Sequence, residues 1–457
     1  MKSNKPVVGV FGHYGNHNLG DESIIDASIA QIRKRLPDAE IICMSLRPDD
    51  TAKRHHVEAY GIRNTPGSKG PVIPGKEADS QYLPWVQYAQ QRAAEDAPSQ
   101  VKADTGPITG LKERLKALPV LGIFVKFAIR LIHMAQDLIE ELGFLVRTFN
   151  YLKRFDLLVV CGSNQFLDNF GGAWEFPYTL LKWSIMAKLR GVKLAYASVG
   201  ANPLEQSLSK PMIRTALGMA DYISYRDHAS KAIIETPKAK FEGHVYPDLA
   251  FGLDFTRINR TNDPDKKLMV GINPMPVFDH RYWCEDNSGK YLGYVKKLAR
   301  FAELLISHDY QLFFFPTMWR DDDVIIDIMN AMDPELRAKM DESTTIRDSE
   351  EVDGLLSIMQ EADIIVATRF HGTVLALHSE TPLLGVSYYL KNSDLMNNMG
   401  QGDYHENFET LDIDALWNKF LDLEAKRQNQ KEKIIAANKI YRNLIEEQWD
   451  NITGLIS

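Results

Sequence analysis

The chain has 457 residues, of which 44% are hydrophobic and 25% charged, and its formal net charge is −8. This length suits roughly two to four domains, and the acidic balance argues against nucleic-acid binding, which usually requires a basic surface. Three widely spaced cysteines favour neither a disulfide framework nor a Cys-x-x-Cys metal site, so we expect a cytoplasmic protein without a metal.

The first half of the chain alternates apolar runs with helical patterns. Apolar runs predict buried parallel strands at residues 7–11, 40–46, 156–161, 193–199 and 222–225. Between the first two runs, isoleucines at helical spacing predict a helix that ends before Pro37. This βαβ rhythm is typical of a doubly wound α/β sheet.

A region of different composition interrupts this rhythm. Residues 64–118 are rich in Pro, Gly, Gln and charge, which predicts a loop or a loosely ordered insertion. Residues 119–150 are strongly apolar, with Lys126 and Arg130 among them. Two interpretations stay open: a helix packed into the core, or a surface helix that rests on a membrane or meets a lipid-linked substrate. No apolar run is long enough to predict a membrane-spanning helix.

A second α/β unit begins near residue 265. Strands are predicted at residues 268–272, 312–315, 363–367 and 383–386, and helices at 289–307, 323–333, 350–361 and 371–379. We therefore expect an N-terminal domain at 1–258 with an insertion at 64–150, a C-terminal domain at 265–425, and a helical segment at 426–457. The polar, turn-rich stretch 256–266 is the predicted linker.

The most informative stretch is 362–372, where a buried strand ends in Arg369 and His371 and a helix follows. Ligands of open α/β sheets bind beyond the carboxyl ends of the strands, and helix N-termini favour anions. Arginine offers a planar fork for carboxylate or phosphate, and histidine can transfer a proton near neutral pH. The segment predicts an enzyme that binds an acidic small molecule and protonates or deprotonates it.

The loop 12–22 after the first strand contains three glycines, which allow a close approach of the backbone to a ligand. It has neither the dinucleotide-binding Gly-x-Gly-x-x-Gly pattern nor the P-loop lysine. Asp21 lies where a helix N-cap is expected, and capping explains it as well as a functional role does. His13 and His17 lie on a loop rather than on one helix face, which does not favour a metal site.

Polar residues follow other predicted strands. Ser163, Asn164 and Gln165 can hydrogen-bond a sugar or phosphate, although ordinary turn chemistry explains them equally well. Asn202 follows the next strand. The run Asp321-Asp322-Asp323 opens a predicted helix, so it is better explained by capping than by metal binding.

Two cations also lie at predicted strand ends. Arg226 either binds an anion or pairs with Asp227 or Asp248, and Lys391 is either a binding residue or, as most lone lysines are, simply solvated. Nearly every candidate therefore lies at the carboxyl end of a strand, in both halves of the chain. Two domains whose strand ends face each other form a cleft, where a transferase would hold its donor and acceptor.

Several motifs together resemble the polysaccharide pyruvyl transferase family over most of the chain. They are Asn18-Leu19-Gly20-Asp21-Glu22, Tyr225-Arg226-Asp227, Asp248 after Tyr246-Pro247, and Arg369-Phe370-His371-Gly372. The resemblance implies a GT-B-like α/β fold, in which two Rossmann-like doubly wound domains face each other across a cleft. It departs from the family at Cys161-Gly162-Ser163-Asn164, where the family often has a run of glycines, and in the long insertion 64–118.

The resemblance also implies an activity. Such an enzyme takes pyruvate from phosphoenolpyruvate and joins it as a ketal to a sugar of a cell-surface polysaccharide or its precursor, with no cofactor. The acceptor would lie on the N-terminal domain and the donor on the C-terminal domain. We assign His371 as the general acid and Asp21 as the residue that orients the acceptor or takes its proton. The expected donor-binding residues are Arg226, Arg369, Lys391 and Gly372, and the expected acceptor-binding residues are Asn16, Asn18, Ser163, Asn164, Gln165 and Asn202.

Two other functions are compatible with the same architecture. A GT-B glycosyltransferase would use a nucleotide sugar as donor, and a non-catalytic relative would serve as a binding protein within a polysaccharide-assembly complex. We expect a saccharide acceptor and no nucleic acid as partners. Peripheral membrane contact through 119–150 and oligomer formation are both compatible with the sequence.

Overall fold

The computed structural model describes residues 5–15, 17–64, 70–75, 119–169, 171–237, 239–254, 267–283, 287–340, 345–388 and 390–457. The described residues form two α/β units, each built around a fully parallel sheet. The predicted linker 256–266 and most of the predicted insertion 64–118 lie outside these ranges. The proposed domain bounds therefore stay predictions.

The N-terminal sheet has seven strands in the order β3-β2-β1-β4-β5-β6-β7. The strands are β1 (Val7–Phe11), β2 (Glu40–Ser45), β3 (Glu58–Gly61), β4 (Leu157–Cys161), β5 (Lys193–Val199), β6 (Tyr222–Tyr225) and β7 (His244–Val245). The helices are α1 (Leu19–Arg35), α2 (Pro48–His55), α3 (Pro119–Tyr151), α4 (Phe176–Arg190), α5 (Ser209–Leu217) and α6 (His228–Ile234). The central strands β1 and β4 are buried along their whole length, as their unbroken apolar sequence predicts.

The C-terminal sheet has five strands in the order β12-β11-β10-β8-β9. They are β8 (Met269–Asn273), β9 (Gln311–Phe314), β10 (Ile364–Ala367), β11 (Leu383–Ser387) and β12 (His405–Asn407). The helices are α7 (Ser288–Ser307), α8 (Asp321–Ala331), α9 (Pro334–Arg337), α10 (Val352–Glu361), α11 (Phe370–His378), α12 (Leu390–Asn398), α13 (Ile413–Ala425) and α14 (Arg427–Thr453).

The last helix, α14, returns to the N-terminal unit. Arg35 of α1 pairs with Glu446 at 2.7 Å and with Asp450 at 2.7 Å. The Gln448 amide, fully buried, donates to the hydroxyls of Ser198 at 2.9 Å and Ser224 at 2.7 Å. Because these serines lie on β5 and β6, α14 packs against the N-terminal sheet.

The segment with two open interpretations forms one long helix, α3. Its Phe144 and Thr148 are fully buried, whereas Leu138, Ile139, Leu142 and Val146 are exposed. One face therefore packs on the core, and another apolar face does not. Among the described helices, none is long and apolar enough to cross a membrane.

Candidate active site between the two sheets

The carboxyl ends of the two sheets meet at the start of α1. The Leu19 amide donates to the Thr317 carbonyl at 2.9 Å, in the loop after β9. Gly20 leaves room for His371 of the opposite unit, because a Cβ at position 20 would lie 2.4 Å from the imidazole ring atoms. The absence of a side chain here lets the N-terminus of α1 and the N-terminus of α11 approach each other closely.

His371 faces a buried carboxylate. Its Nε2 lies 3.7 Å from Oδ2 of Asp248, an ion-pair separation longer than a hydrogen bond. Burial opposes the ionisation of Asp248, but His371 and Arg226 outweigh burial, so the pKa of this carboxyl falls to about 2. The Nε2 atom is itself buried without a hydrogen-bond partner among the described residues. The imidazole is therefore held with its Nε2 facing a fixed negative charge but not hydrogen-bonded to it.

Arg226 lies on the other side of Asp248. Its Nη1 is 3.4 Å from the Asp248 carboxylate, and its Nη2 donates to Oδ1 of Asn164 at 3.1 Å. The guanidinium lies 4.3 Å from the ring centroid of Phe370, and Gly200 leaves the space that it fills. Its buried Nε makes no hydrogen bond within the described residues, although Asp227 lies 3.7 Å away. Both sequence-based readings of Arg226, an anion-binding group and a partner of Asp248, fit this position.

Lys391 joins the same cluster. Its Nζ lies 5.1 Å from the centroid of the Phe370 ring, which Arg226 also covers. Burial and the nearby charge of Arg226 lower the pKa of Lys391 to about 7. The lysine is therefore not a solvated surface residue. Phe370, to which the sequence analysis gave no role, is the surface that both cations share.

Arg369 is committed to another partner. Its Nε donates to both oxygens of Asp321, at 2.6 and 2.7 Å, and its Nη2 lies 2.5 Å from Oδ1. The Asp321 carboxylate, fully buried, also accepts from the Thr317 amide at 3.0 Å. This acid therefore neutralises Arg369 and shapes the loop after β9, so the arginine is less available to a ligand than the sequence predicted.

A cation that the sequence analysis did not select lies beside this pair. The Arg320 guanidinium packs 5.0 Å from the ring centroids of Tyr282 and Trp319. Its Nε is buried without a hydrogen-bond partner among the described residues. Burial and the neighbouring charge of Arg369 lower the pKa of Arg320. In the sequence, Arg320 directly precedes Asp321-Asp322-Asp323, and a single arginine beside an acidic run is not a distinctive signal.

Asp21 is held on the N-terminal side of the cleft. Its Oδ1 accepts from the Ser163 hydroxyl at 2.8 Å, and its Oδ2 accepts from the Asn18 amide at 2.8 Å. Of the two readings of Asp21, the N-cap of α1 is excluded, because Asn18 is the N-cap and accepts from the Gly20 amide. The Asp21 carboxylate is thus free of the capping role and fixed in orientation by two side chains.

The remaining candidates differ in whether they contact the cluster around Arg226. The Asn164 amide donates to Asn202 at 2.6 Å, which links that pair to Arg226. Gln165 instead donates to the carbonyls of Cys161 and Gly162, both at 3.0 Å, and so stabilises its own turn. Gly372 packs on Asn273, whose Oδ1 would lie 2.1 Å from an added Cβ. Asn16 lies outside the described residues.

The cluster is rich in charge but offers no ready metal site. Within the described ranges, no three His, Cys, Asp or Glu side chains are grouped as ligands for an ion. What the arrangement offers is one imidazole beside an ionised carboxylate, two cations on one aromatic ring, and a second carboxylate from the facing domain. Such a site can bind an anion and move protons on either side of it.

The sequence model of the polysaccharide pyruvyl transferase family matches residues 18–389. The chain belongs to this family. The match extends over the motifs that suggested the resemblance and over the residues gathered at the cleft. No curated protein matches the chain significantly.

The fold is shared with solved structures of very different sequence. The chain is similar to UDP-GlcNAc 2-epimerase from Neisseria meningitidis bound to UDP-GlcNAc, with 9% identity, a TM-score of 0.51, and coverage of 98% of this chain and 99% of that one. It is also similar to the S. aureus MnaA–UDP co-structure, with 10% identity, a TM-score of 0.52, and coverage of 97% and 94%. The predicted GT-B-like fold, two Rossmann-like doubly wound domains facing across a cleft, is confirmed.

Proposed function

We propose that this transferase moves pyruvate from phosphoenolpyruvate to a sugar of a cell-surface polysaccharide or its precursor and forms a ketal. The observation that carries the proposal is His371, whose Nε2 makes no hydrogen bond within the described residues and lies 3.7 Å from ionised Asp248. Arg226 and Lys391 lie beside it on Phe370. A proton donor next to two cations suits a small donor that carries both a phosphate and a carboxylate.

Family membership supports the same chemistry. Protonation of the methylene carbon of phosphoenolpyruvate by His371 makes the adjacent carbon electrophilic, and Asp248 provides a counter-charge to the imidazolium. A sugar hydroxyl attacks that carbon and gives its proton to Asp21. The C–O bond to phosphate then breaks, and a second hydroxyl closes the ketal. One hydroxyl proton replaces the proton that His371 gave, and the other leaves with the phosphate.

The direct test is incubation of the purified protein with phosphoenolpyruvate and a panel of sugars, nucleotide sugars and polysaccharide precursors. Phosphate release must be accompanied by a mass gain of one pyruvate, less water, on the acceptor. The proposal fails if no acceptor in such a panel is modified while a nucleotide sugar, and not phosphoenolpyruvate, raises the melting temperature. That second result favours a nucleotide-sugar glycosyltransferase, whose fold this chain shares.

Gly20→Ala tests the contact between the two domains. The added Cβ would lie 2.4 Å from the His371 ring, so the imidazole must move. Since misplacement of a reacting group by about 1 Å can cost roughly 10²-fold, we expect kcat to fall by about that factor. The preference of a helix for alanine over glycine, up to about 1 kcal/mol, offsets part of the cost of this overlap in the free energy of unfolding.

The matched control is Gly293→Ala in α7, where an added Cβ meets no atom within 4 Å. It should leave kcat unchanged. If Gly20→Ala retains wild-type kcat, the position of His371 against α1 is not important for turnover.

The lowered pKa of Lys391 predicts that the capture of phosphoenolpyruvate depends on pH. Its pKa of about 7 means that the positive charge is present below that pH and is lost above it. We therefore expect kcat/KM for phosphoenolpyruvate, which reports groups of the free enzyme, to fall by about tenfold per pH unit above pH 7. The Lys391→Arg variant keeps its charge and should move this limb to higher pH. If the limb stays in place in that variant, another group produces it.

A further inference from the structure

We propose that the exposed apolar face formed by α3 and α4 docks the protein onto the headgroup region of an anionic lipid bilayer. We define this docking face by Trp174 and by six aliphatic residues of the two helices: Leu138, Ile139, Leu142, Val146, Ile185 and Leu189. Half of the fourteen large hydrophobic side chains exposed in the described residues belong to it. Exposed hydrophobic side chains concentrated on neighbouring elements mark an interaction surface, whereas scattered ones need no explanation.

The two helices lie side by side and hold the docking face together. Glu141 of α3 accepts from Tyr178 at 3.1 Å and from Lys182 of α4 at 2.7 Å. Further along both helices, Arg190 donates to the Phe149 carbonyl at 2.7 Å, and its guanidinium lies 3.5 Å from the centroid of that ring. The helices therefore run in the same direction, in contact with each other.

The residues of the docking face follow the helical repeat. Ile139, Leu142 and Val146 share one side of α3, and Ile185 and Leu189 are one turn apart on α4. Ile139 is 68% exposed, Leu189 71% and Trp174 66%. The sequence of α3 toward its N-terminus continues the same apolar spacing, and a helix of this length extends about 50 Å. An amphipathic helix whose apolar face is exposed can lie in the plane of the membrane interface.

The positive charge of these two helices favours an anionic lipid surface as the partner of the docking face. Residues 119–154 and 176–190 together carry eight Lys or Arg and three Asp or Glu, whereas the whole chain has a net charge of −8. Two of these cations are paired within the protein, Lys182 with Glu141 and Arg154 with Glu58, whereas Arg147 and Lys153 are exposed. Basic residues at the edge of an apolar face are attracted to anionic headgroups and can extend toward them. Trp174, whose ring packs 5.6 Å from that of Tyr178, adds an aromatic pair of the kind enriched at membrane interfaces.

The docking face ends beside the acceptor side of the cleft. Phe176, at the start of α4, stacks on His13 at 5.0 Å, and His13 lies in the loop after β1. Trp174 is two residues away. A bilayer under the face would therefore lie next to the loop that leads to Asp21. If the proposed function holds, this placement suits an acceptor saccharide linked to a lipid.

The test is flotation of the full chain with vesicles of phosphatidylcholine alone or of phosphatidylcholine with phosphatidylglycerol, in the absence of any substrate. We expect flotation with the anionic vesicles and weaker flotation in high salt. Ile139→Glu with Leu189→Glu should lower binding by at least about tenfold, since burial of one such side chain changes an equilibrium by that factor or more. Leu292→Glu with Ile440→Glu, which replaces similarly exposed residues outside the docking face, should bind as the wild type does.

Two results would overturn the proposal. One is the absence of flotation with anionic vesicles, or equal flotation of both double variants. The other is a wild-type dimer that the Ile139→Glu, Leu189→Glu variant converts to a monomer, which would assign the face to a second copy of the chain. Melting temperatures confirm that each variant folds. Because no substrate is present, failure here leaves pyruvyl transfer as a separate question.

Discussion

His371→Ala should lower kcat by about 10²–10⁴-fold while donor binding stays close to wild type. The expected loss is that of a positioned general acid. The imidazole Nε2 of His371 faces ionised Asp248 at 3.7 Å and makes no hydrogen bond within the described residues. Removing it leaves Arg226 and Lys391 in place on Phe370, so the anionic donor keeps its cationic partners. Phosphate release measures kcat, and calorimetry measures the affinity for phosphoenolpyruvate.

His228→Ala is the matched control, because this histidine at the start of α6 is exposed. It should turn over as the wild type does. If the His371→Ala variant also turns over normally, His371 is not the acid, and proton transfer must be assigned to another group. Loss of donor binding in step with kcat would instead make it a binding residue.

The sequence predicted the parts of the fold that rest on local patterns. Central strands such as β1 and β4 are unbroken apolar runs, and their predicted bounds were close to those observed. The edge strands β3, β7 and β12 were not predicted, since they are short and none of them is a continuous apolar run. The edge of a sheet is defined by pairing with a neighbour, which a single sequence does not display.

The candidate site shows the same division. A cation or histidine after an apolar strand is visible in sequence, so Arg226, Arg369 and His371 were all selected. Which of them a buried carboxylate neutralises depends on residues distant in the chain. Asp321 takes Arg369 in a bidentate pair, while Asp248 lies between Arg226 and His371. The partner of each charge is set by tertiary structure, which a single sequence does not display. The same is true of the packing of Arg226 and Lys391 on Phe370.

Arg226→Ala should both destabilise the protein and weaken donor binding. The arginine side chain is 3% exposed and Asp248 is 2% exposed, so its removal takes away one of the two groups that balance a buried carboxylate. Breaking such a pair typically costs about 3–5 kcal/mol in the free energy of unfolding. Losing one charged hydrogen-bond donor to an anion costs about 1.5–3 kcal/mol more in binding, or roughly 10–10²-fold in the Kd for phosphoenolpyruvate.

These two effects can be separated, because they depend on different partners. The double variant Arg226→Met, Asp248→Asn removes the unpaired charge and should recover most of the free energy of unfolding, measured by urea denaturation. It should not recover the affinity for phosphoenolpyruvate, since the guanidinium is still absent. If affinity returns together with stability, Arg226 acts only by holding Asp248 and does not touch the donor. If affinity stays low in a stable double variant, the arginine binds the donor directly. The charge of Asp248 then serves to orient that guanidinium and the imidazole of His371 toward the same ligand.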